Sequence, residues 1–205
     1  MNVVRTPRLL LIAGTADSLA AELESPEALG DVLAADVPSS WPPEPYDADA
    51  VRGTRSWLEA HPEESSWSLY YVAEAPRMPD DRPKLLGIAG YKGAPDDAGV
   101  VEIGYGIVPE CRRRGFASEA VRALLARAFS DSRVTVVIAH TLPELTPSIG
   151  VLQTTGFVLE GPGNDPHEPT AIRFALTRAR HEQLTAATPS GAAAELLRPR
   201  SRSVT

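Results

Sequence analysis

Between residues 99 and 139 the hydrophobic period of this chain changes twice, and few folds accommodate that order. Gly99 to Val108 alternates in the manner of a strand. Glu102, Gly104 and Gly106 share one face, and Val101, Ile103, Tyr105 and Ile107 share the other. From Phe116 to Phe129, apolar residues fall at Ala117, Ala120, Val121, Leu124, Leu125 and Ala128, with Arg122 and Arg127 opposite. That is the spacing of an amphipathic helix. Val134 to Ala139 is then a near-continuous apolar run, which predicts a strand covered on both faces. Strand, helix, strand in that order predicts a right-handed crossover joining parallel strands, and so an α/β fold.

The flanking sequence extends this core. Arg8 to Ala13 reads as a first strand. Ser25-Pro26-Glu27 combines a cap, a first-turn proline and an acidic residue, starting a short helix through about Ala35. Trp41-Pro42-Pro43-Glu44-Pro45 excludes both helix and central strand, and Asp47 can cap a helix to about Ala60. Trp67 to Ala75 and Lys84 to Lys92 read as strands. Their short Pro-, Asp- and Gly-rich connections, Pro76 to Pro83 and Gly93 to Ala98, predict an antiparallel meander with the strand at 99–108. Pro147 to Thr155 predicts a short helix closed by Gly156, with strands near 157–160 and 170–177. The 205 residues suffice for one sizeable domain, assigned here to 1–181. Residues 182–205 are rich in Ala, Thr, Ser, Pro and Arg, and read as a flexible tail with a helical turn at Ala192 to Leu197.

Charge and cysteine usage narrow the partners. A net charge of −7 disfavours nucleic acid and anionic membranes, and suits a cationic or amine-bearing partner. Cys111 is the only cysteine, so no intrachain disulfide forms, and a reducing, cytoplasmic setting is expected. The apolar run Leu9 to Ala13 is too short for a membrane span. His61, His140, His167 and His181 show no metal-ligand spacing with Cys111 or with each other, so no metal is expected.

The turn Val108-Pro109-Glu110-Cys111-Arg112-Arg113-Arg114-Gly115-Phe116-Ala117-Ser118 joins strand to helix. A helix start has unpaired N–H groups and a positive dipole end, Gly115 permits close backbone approach, and three arginines add charge: the arrangement suits an anion. A solvated basic turn has the same composition. Gly104-Tyr105-Gly106 lacks the third glycine of a dinucleotide loop, and no Gly-Lys-Ser/Thr occurs.

Val101 to Glu110, followed by Arg112-x-x-Gly115-x-Ala117, resembles the coenzyme A signature of GNAT superfamily acetyltransferases. Thr141-Leu142-Pro143-Glu144, Ser148 and Val151-Leu152-x-x-x-Gly156-Phe157 resemble the branch that acetylates ribosomal-protein N-termini. The similarity runs from about residue 5 to 178 and is strongest over 100–160. It implies an acyl-CoA N-acyltransferase-like fold: a twisted mixed sheet of about seven strands flanked by helices, its parallel fourth and fifth strands (99–108 and 134–140) splayed around the pantetheine arm. By the same resemblance, backbone groups of Ile107 and Val108 meet pantetheine. Arg112, Arg113, Arg114, Gly115, Phe116 and Ala117 wrap the pyrophosphate of acetyl-CoA, with Ser118 a donor at the helix start. Three positions depart from the family pattern. Leu145 stands where an asparagine is usual, Gly150 where an arginine is frequent, and Leu152 where many relatives carry a tyrosine that protonates the thiolate.

The implied reaction is direct attack of a primary amine, from a protein N-terminus or a small molecule, on the thioester in a ternary complex. The Val108 N–H is the candidate oxyanion donor. An α-amine, with a pKa of about 8, loses its proton more readily than a lysine side chain at about 10.4. Glu102, beside two glycines, is either the general base or a solvated strand acid. Ser148 either assists the coenzyme thiolate or is a first-turn polar residue. His140 either contacts acceptor or is a satisfied structural histidine. Trp41, among prolines, is the aromatic most suited to line an acceptor site. A non-catalytic acetyl-CoA-binding module is the alternative, motivated by Leu145 and the missing tyrosine; nucleotide binding through the arginine turn is a third. Monomer and homodimer both remain open.

Overall fold

The alternating segments form a continuous sheet whose two faces receive different helices. The computed structural model describes residues 2–76, 78, 80–163 and 169–187. Its strands are β1 (Val3–Arg5), β2 (Leu9–Ala13), β3 (Leu69–Glu74), β4 (Lys84–Tyr91), β5 (Val100–Ile107), β6 (Val136–Thr141), β7 (Val158–Pro162) and β8 (Ile172–Thr177). The helices are α1 (Ala16–Glu24), α2 (Pro26–Leu33), α3 (Ala48–Ala60), α4 (Phe116–Ser130), α5 (Thr146–Thr154) and α6 (Arg178–Ala187). The sheet order is β1-β2-β3-β4-β5-β6-β8-β7, antiparallel except for the parallel pair β5–β6.

Period-two alternation splits the core. Leu9, Leu11, Tyr70, Val72, Leu86, Val101 and Ile103 pack with Phe116, Val121 and Leu124 of α4. Leu10, Ile12, Tyr71, Ala73 and Leu85 pack with Leu19, Leu29, Leu33 and Leu58 of α1–α3. Strand β2 contributes to both cores, which is why all five of its residues are buried. Each such leucine stabilises the fold by roughly 1.5–3 kcal/mol. Four bonds from the Arg178 guanidinium tie the end of β8 to the far end of α4. They reach the carbonyl oxygens of Phe129 (2.8 Å), Asp131 (2.6 Å) and Val134 (2.8 and 3.0 Å), where a helix C-terminus favours a cation.

Several expectations change. There are eight strands rather than about seven, because Val3–Arg5 adds a three-residue edge strand too short to show a period. Helix α1 was not anticipated. Its start is a capping box in which Thr15 and Ser18 exchange side-chain-to-backbone bonds, with serine where glutamate or glutamine is the usual signal. The run in β6 is not covered on both faces: Val137, Ala139 and Thr141 are buried, whereas Val136, Ile138 and His140 are half-buried. Helix α6 continues to Ala187, six residues into the segment read as tail, with His181 stacked on Phe129 at 4.6 Å. The turn expected at Ala192 to Leu197 lies outside the described residues.

Candidate active site

The chemistry-bearing turn follows from how β5 ends. Pro109–Cys111 makes a single tight turn, with the Cys111 N–H donating to Val108 O at 3.0 Å. Arg113 and Gly115 then adopt positive φ, 58° and 79°, which reverses the chain into α4. Because Gly115 has no side chain to cap the helix, the N–H groups of Phe116, Ala117 and Ser118 have no acceptor among the described residues. The nearby carboxylate of Glu119 does not fill that role. It accepts from Thr6 Oγ1 (2.6 Å), the Arg8 N–H (2.9 Å) and Arg8 Nε (2.6 Å). Burial works to raise the Glu119 pKa, but these bonds outweigh it and the carboxyl titrates below its ordinary value. Arg8 also donates to Arg114 O at 3.0 Å, and the Arg8 and Arg114 guanidinia each lie 4.8 Å from the centre of the Phe116 ring. Arg112 folds back, its Nε donating to Ile107 O at 2.8 Å. Unpaired amides, a positive helix end and exposed arginines together fit a diphosphate.

Beside this turn the sheet opens. Strands β5 and β6 pair only through Val100–Glu102 against Val136–Ile138; beyond that β5 stays with β4 and β6 with β8. The Lys92 N–H donates to Glu102 O and the Val108 N–H to Leu86 O, both at 2.9 Å, so even-numbered residues of β5 turn their polar backbone to β4. Ile103, Tyr105 and Ile107 therefore turn theirs into the opening. This corrects the reading of Val108 as oxyanion donor. The β4–β5 register is unbroken, the strand does not release that N–H, and Val108 is fully buried with both backbone polar groups bonded. Ile107 is the residue whose N–H faces the gap.

Across the opening stands α5. The Tyr105 hydroxyl reaches over to Ser148, 3.1 Å from both its Oγ and its carbonyl oxygen. Burial, partly opposed by the bond to Ser148, pushes the Tyr105 pKa up to about 12, so the phenol stays protonated at neutral pH. Leu152 is fully buried, and Leu145 is 45% exposed at the start of α5. A Cβ at Gly150 would meet nothing within 4 Å.

The other face of the opening carries Glu102, Gly104 and Gly106. A Cβ at Gly104 would meet nothing within 4 Å, whereas one at Gly106 would touch Pro43 at 3.4 Å. The proline loop thus closes one end of an open floor. Trp41 Nε1 (2.8 Å), Tyr46 Oη (3.1 Å) and Tyr71 Oη (2.8 Å) all donate to Glu22 of α1, and Ser40 donates to Glu110. Burial raises the Glu22 pKa, against the lowering effect of those three donors. On the floor, Glu102 Oε1 is ion-paired with Lys92 Nζ and lies 3.0 Å from His140 Nδ1.

The fold therefore brings Ile107, Ser148 and the 112–118 turn around one opening, and Glu102 and His140 into contact beside it. Trp41 stands at the loop end, its indole committed to Glu22. Cys111 is buried, His61 stacks on Trp57, and His167 lies outside the described residues. Among the described residues no three His, Cys, Asp or Glu side chains cluster to hold a metal, and no helix is long and apolar enough to cross a membrane. Sequence reasoning missed Glu22, Tyr105 as a partner of Ser148, Lys92, and the Arg8–Glu119 pair. Lys92 meets Glu102 across the β4–β5 hairpin, the others join residues distant in the chain, and none leaves a local pattern.

A mixed sheet that opens between two parallel strands, with a helix start aimed at the opening, defines an acyl-CoA N-acyltransferase-like fold. A model of the acetyltransferase (GNAT) domain matches residues 14–158, and the chain belongs to that family. The uncharacterized N-acetyltransferase p20 of Bacillus licheniformis is 35% identical over 78 residues, 38% of this chain and 44% of that protein. The chain thus matches less than half the length of that relative. Among solved structures, an acetyltransferase from Agrobacterium tumefaciens superposes with a TM-score of 0.60 at 19% identity, covering 87% of this chain and 95% of its own. RimL, a ribosomal L7/L12 α-N-protein acetyltransferase in complex with coenzyme A, superposes with a TM-score of 0.60 at 11% identity, covering 86% of this chain and 98% of its own.

Proposed function

We propose that this chain is an acetyl-CoA-dependent N-acetyltransferase that acts on a primary amine, a protein N-terminus or a small-molecule amine, within a ternary complex. The observation that carries this is the opening between β5 and β6, which ends at three unpaired amides of α4. Bound acetyl-CoA supplies the activated acetyl group. The Phe116, Ala117 and Ser118 N–H groups hold its diphosphate with Arg112, Arg113 and Arg114, while the polar backbone of Tyr105 and Ile107 lines the pantetheine path. The Ile107 N–H takes the place of Val108 as the donor for the developing oxyanion.

Glu102 accepts the proton that the amine must lose, directly or through water. Its neighbours Gly104 and Gly106 leave the floor clear for the incoming nitrogen. Ser148, with Tyr105 behind it, returns a proton to the departing thiolate in place of the hydroxyl that Leu152 lacks. Trp41 and the proline loop shape the acceptor end.

The test has two arms. Calorimetry with acetyl-CoA is expected to give a micromolar or tighter Kd, and a thiol-release assay across α-amines, polyamines and aminosugars is expected to give turnover with at least one class. Absence of coenzyme binding would remove the reading altogether. Tight binding without turnover across the panel would leave the non-catalytic module.

A further inference from the structure

A row of polar side chains crosses the open floor of the sheet from β4 to β7, and His140 sits at its centre. Lys92 Nζ and His140 Nδ1 share one oxygen of Glu102, Oε1. His140 faces Arg173 in the β6–β8 register, and Arg173 donates to Glu160 Oε2 at 2.6 Å. The His140 side chain is only 14% exposed, and Nε2 is buried with no hydrogen-bond partner among the described residues. Gly163 lies beside the ring, where a Cβ would stand 2.8 Å from His140 Cδ2.

A histidine placed for stability alone is expected to satisfy both ring nitrogens when buried. This ring satisfies one, and it spends that bond on the carboxylate beside the opening. We infer that His140 is a positioning residue for Glu102, an inference that rests on the base role proposed above. Lys92 and His140 hold Oε1, so Oε2, which accepts no hydrogen bond among the described residues, is the oxygen that receives the proton. In that step an N–H bond of the acceptor ammonium breaks and an O–H bond forms at Oε2. The nitrogen keeps its electron pair for attack on the thioester. The buried setting of the ring favours one orientation of the carboxylate through turnover.

The test compares His140→Leu and His140→Asn in the full chain, with the best amine of the panel. His140→Leu is expected to lower kcat about tenfold or more, with KM for acetyl-CoA changed less than about twofold. His140→Asn, which keeps an N–H donor at the position of Nδ1, is expected to recover most of the loss. In 15N-labelled protein, a bonded Nδ1 proton that is absent in His140→Asn is expected to shift in Glu102→Gln, independently of turnover. A leucine variant at full kcat, an asparagine variant as slow as leucine, or an Nδ1 signal indifferent to Glu102→Gln would each overturn the inference. Full activity in Glu102→Gln would instead remove the base assignment, and this role with it. A slow Glu102→Gln beside a fast His140→Leu would remove the positioning role alone.

Discussion

The two walls of the opening are made of different material. The wall proposed for the coenzyme is backbone: amides of α4, the inward-facing residues of β5, and a glycine at φ 79° that forms the turn between them. All of it comes from one contiguous stretch, 103–118. The wall proposed for the acceptor is side chain, assembled from α1, the proline loop, β3, the end of β4, β5 and β6, and its contacts to Glu22 and between Glu102 and His140 span 19 to 49 residues of sequence. A backbone site tolerates change in most of its side chains and fails when the chain path changes. A side-chain site fails one residue at a time and can be retuned the same way.

That contrast is open to direct test. The largest effect is expected from Glu102→Gln: kcat falls about 100-fold while calorimetry shows the acetyl-CoA Kd unchanged. A parallel loss of coenzyme affinity would mean that the walls are not separable. Next comes Gly115→Val. A β-branched residue at φ 79° costs about 1–3 kcal/mol unless the turn deforms, so Kd for acetyl-CoA is expected to weaken about tenfold. Arg113→Ala, a side-chain change in the same turn, is expected to weaken it by less than about threefold.

Glu22→Leu examines the acceptor wall from behind. It strands the Trp41, Tyr46 and Tyr71 donors at a cost of about 1–3 kcal/mol, visible as a lower Tm. KM for the amine is expected to rise with the acetyl-CoA Kd intact. The smallest effect is Glu119→Gln, which loosens the Arg8 brace by under about 1 kcal/mol. Here the sign of the pH dependence is diagnostic. The folded pKa of Glu119 lies below its ordinary 4.5, so the carboxylate's contribution is complete above that value and is lost as pH falls through the folded pKa. Melting curves of wild type and Glu119→Gln are expected to differ at neutral pH and to converge in acid.

How legible the molecule was in its sequence follows the same division. The β5–turn–α4–β6 crossover was readable because period, breaker and cap lie within reach of one another. The Gly156 cap after α5 was readable for the same reason, and Phe157 folds back to donate to Leu152 O at 3.0 Å. Helix α1 was not, because its capping box uses serine where glutamate or glutamine is the usual signal. Alternation put Glu102 on the right face of β5, yet nothing in the alternation names the partners it meets there.

What the chain determined by itself is therefore the local part: a strand that must end at Pro109, a glycine that must turn, and a helix that begins without a side-chain cap, leaving amides free. Whether the Val108 N–H stays free, which nitrogen of His140 meets Glu102, and where Glu22 finds three donors were decided only when distant segments packed. Hydrogen-bond partners across a sheet depend on register and on which strands separate, and those are set by the sum of many contacts rather than by any neighbouring residue.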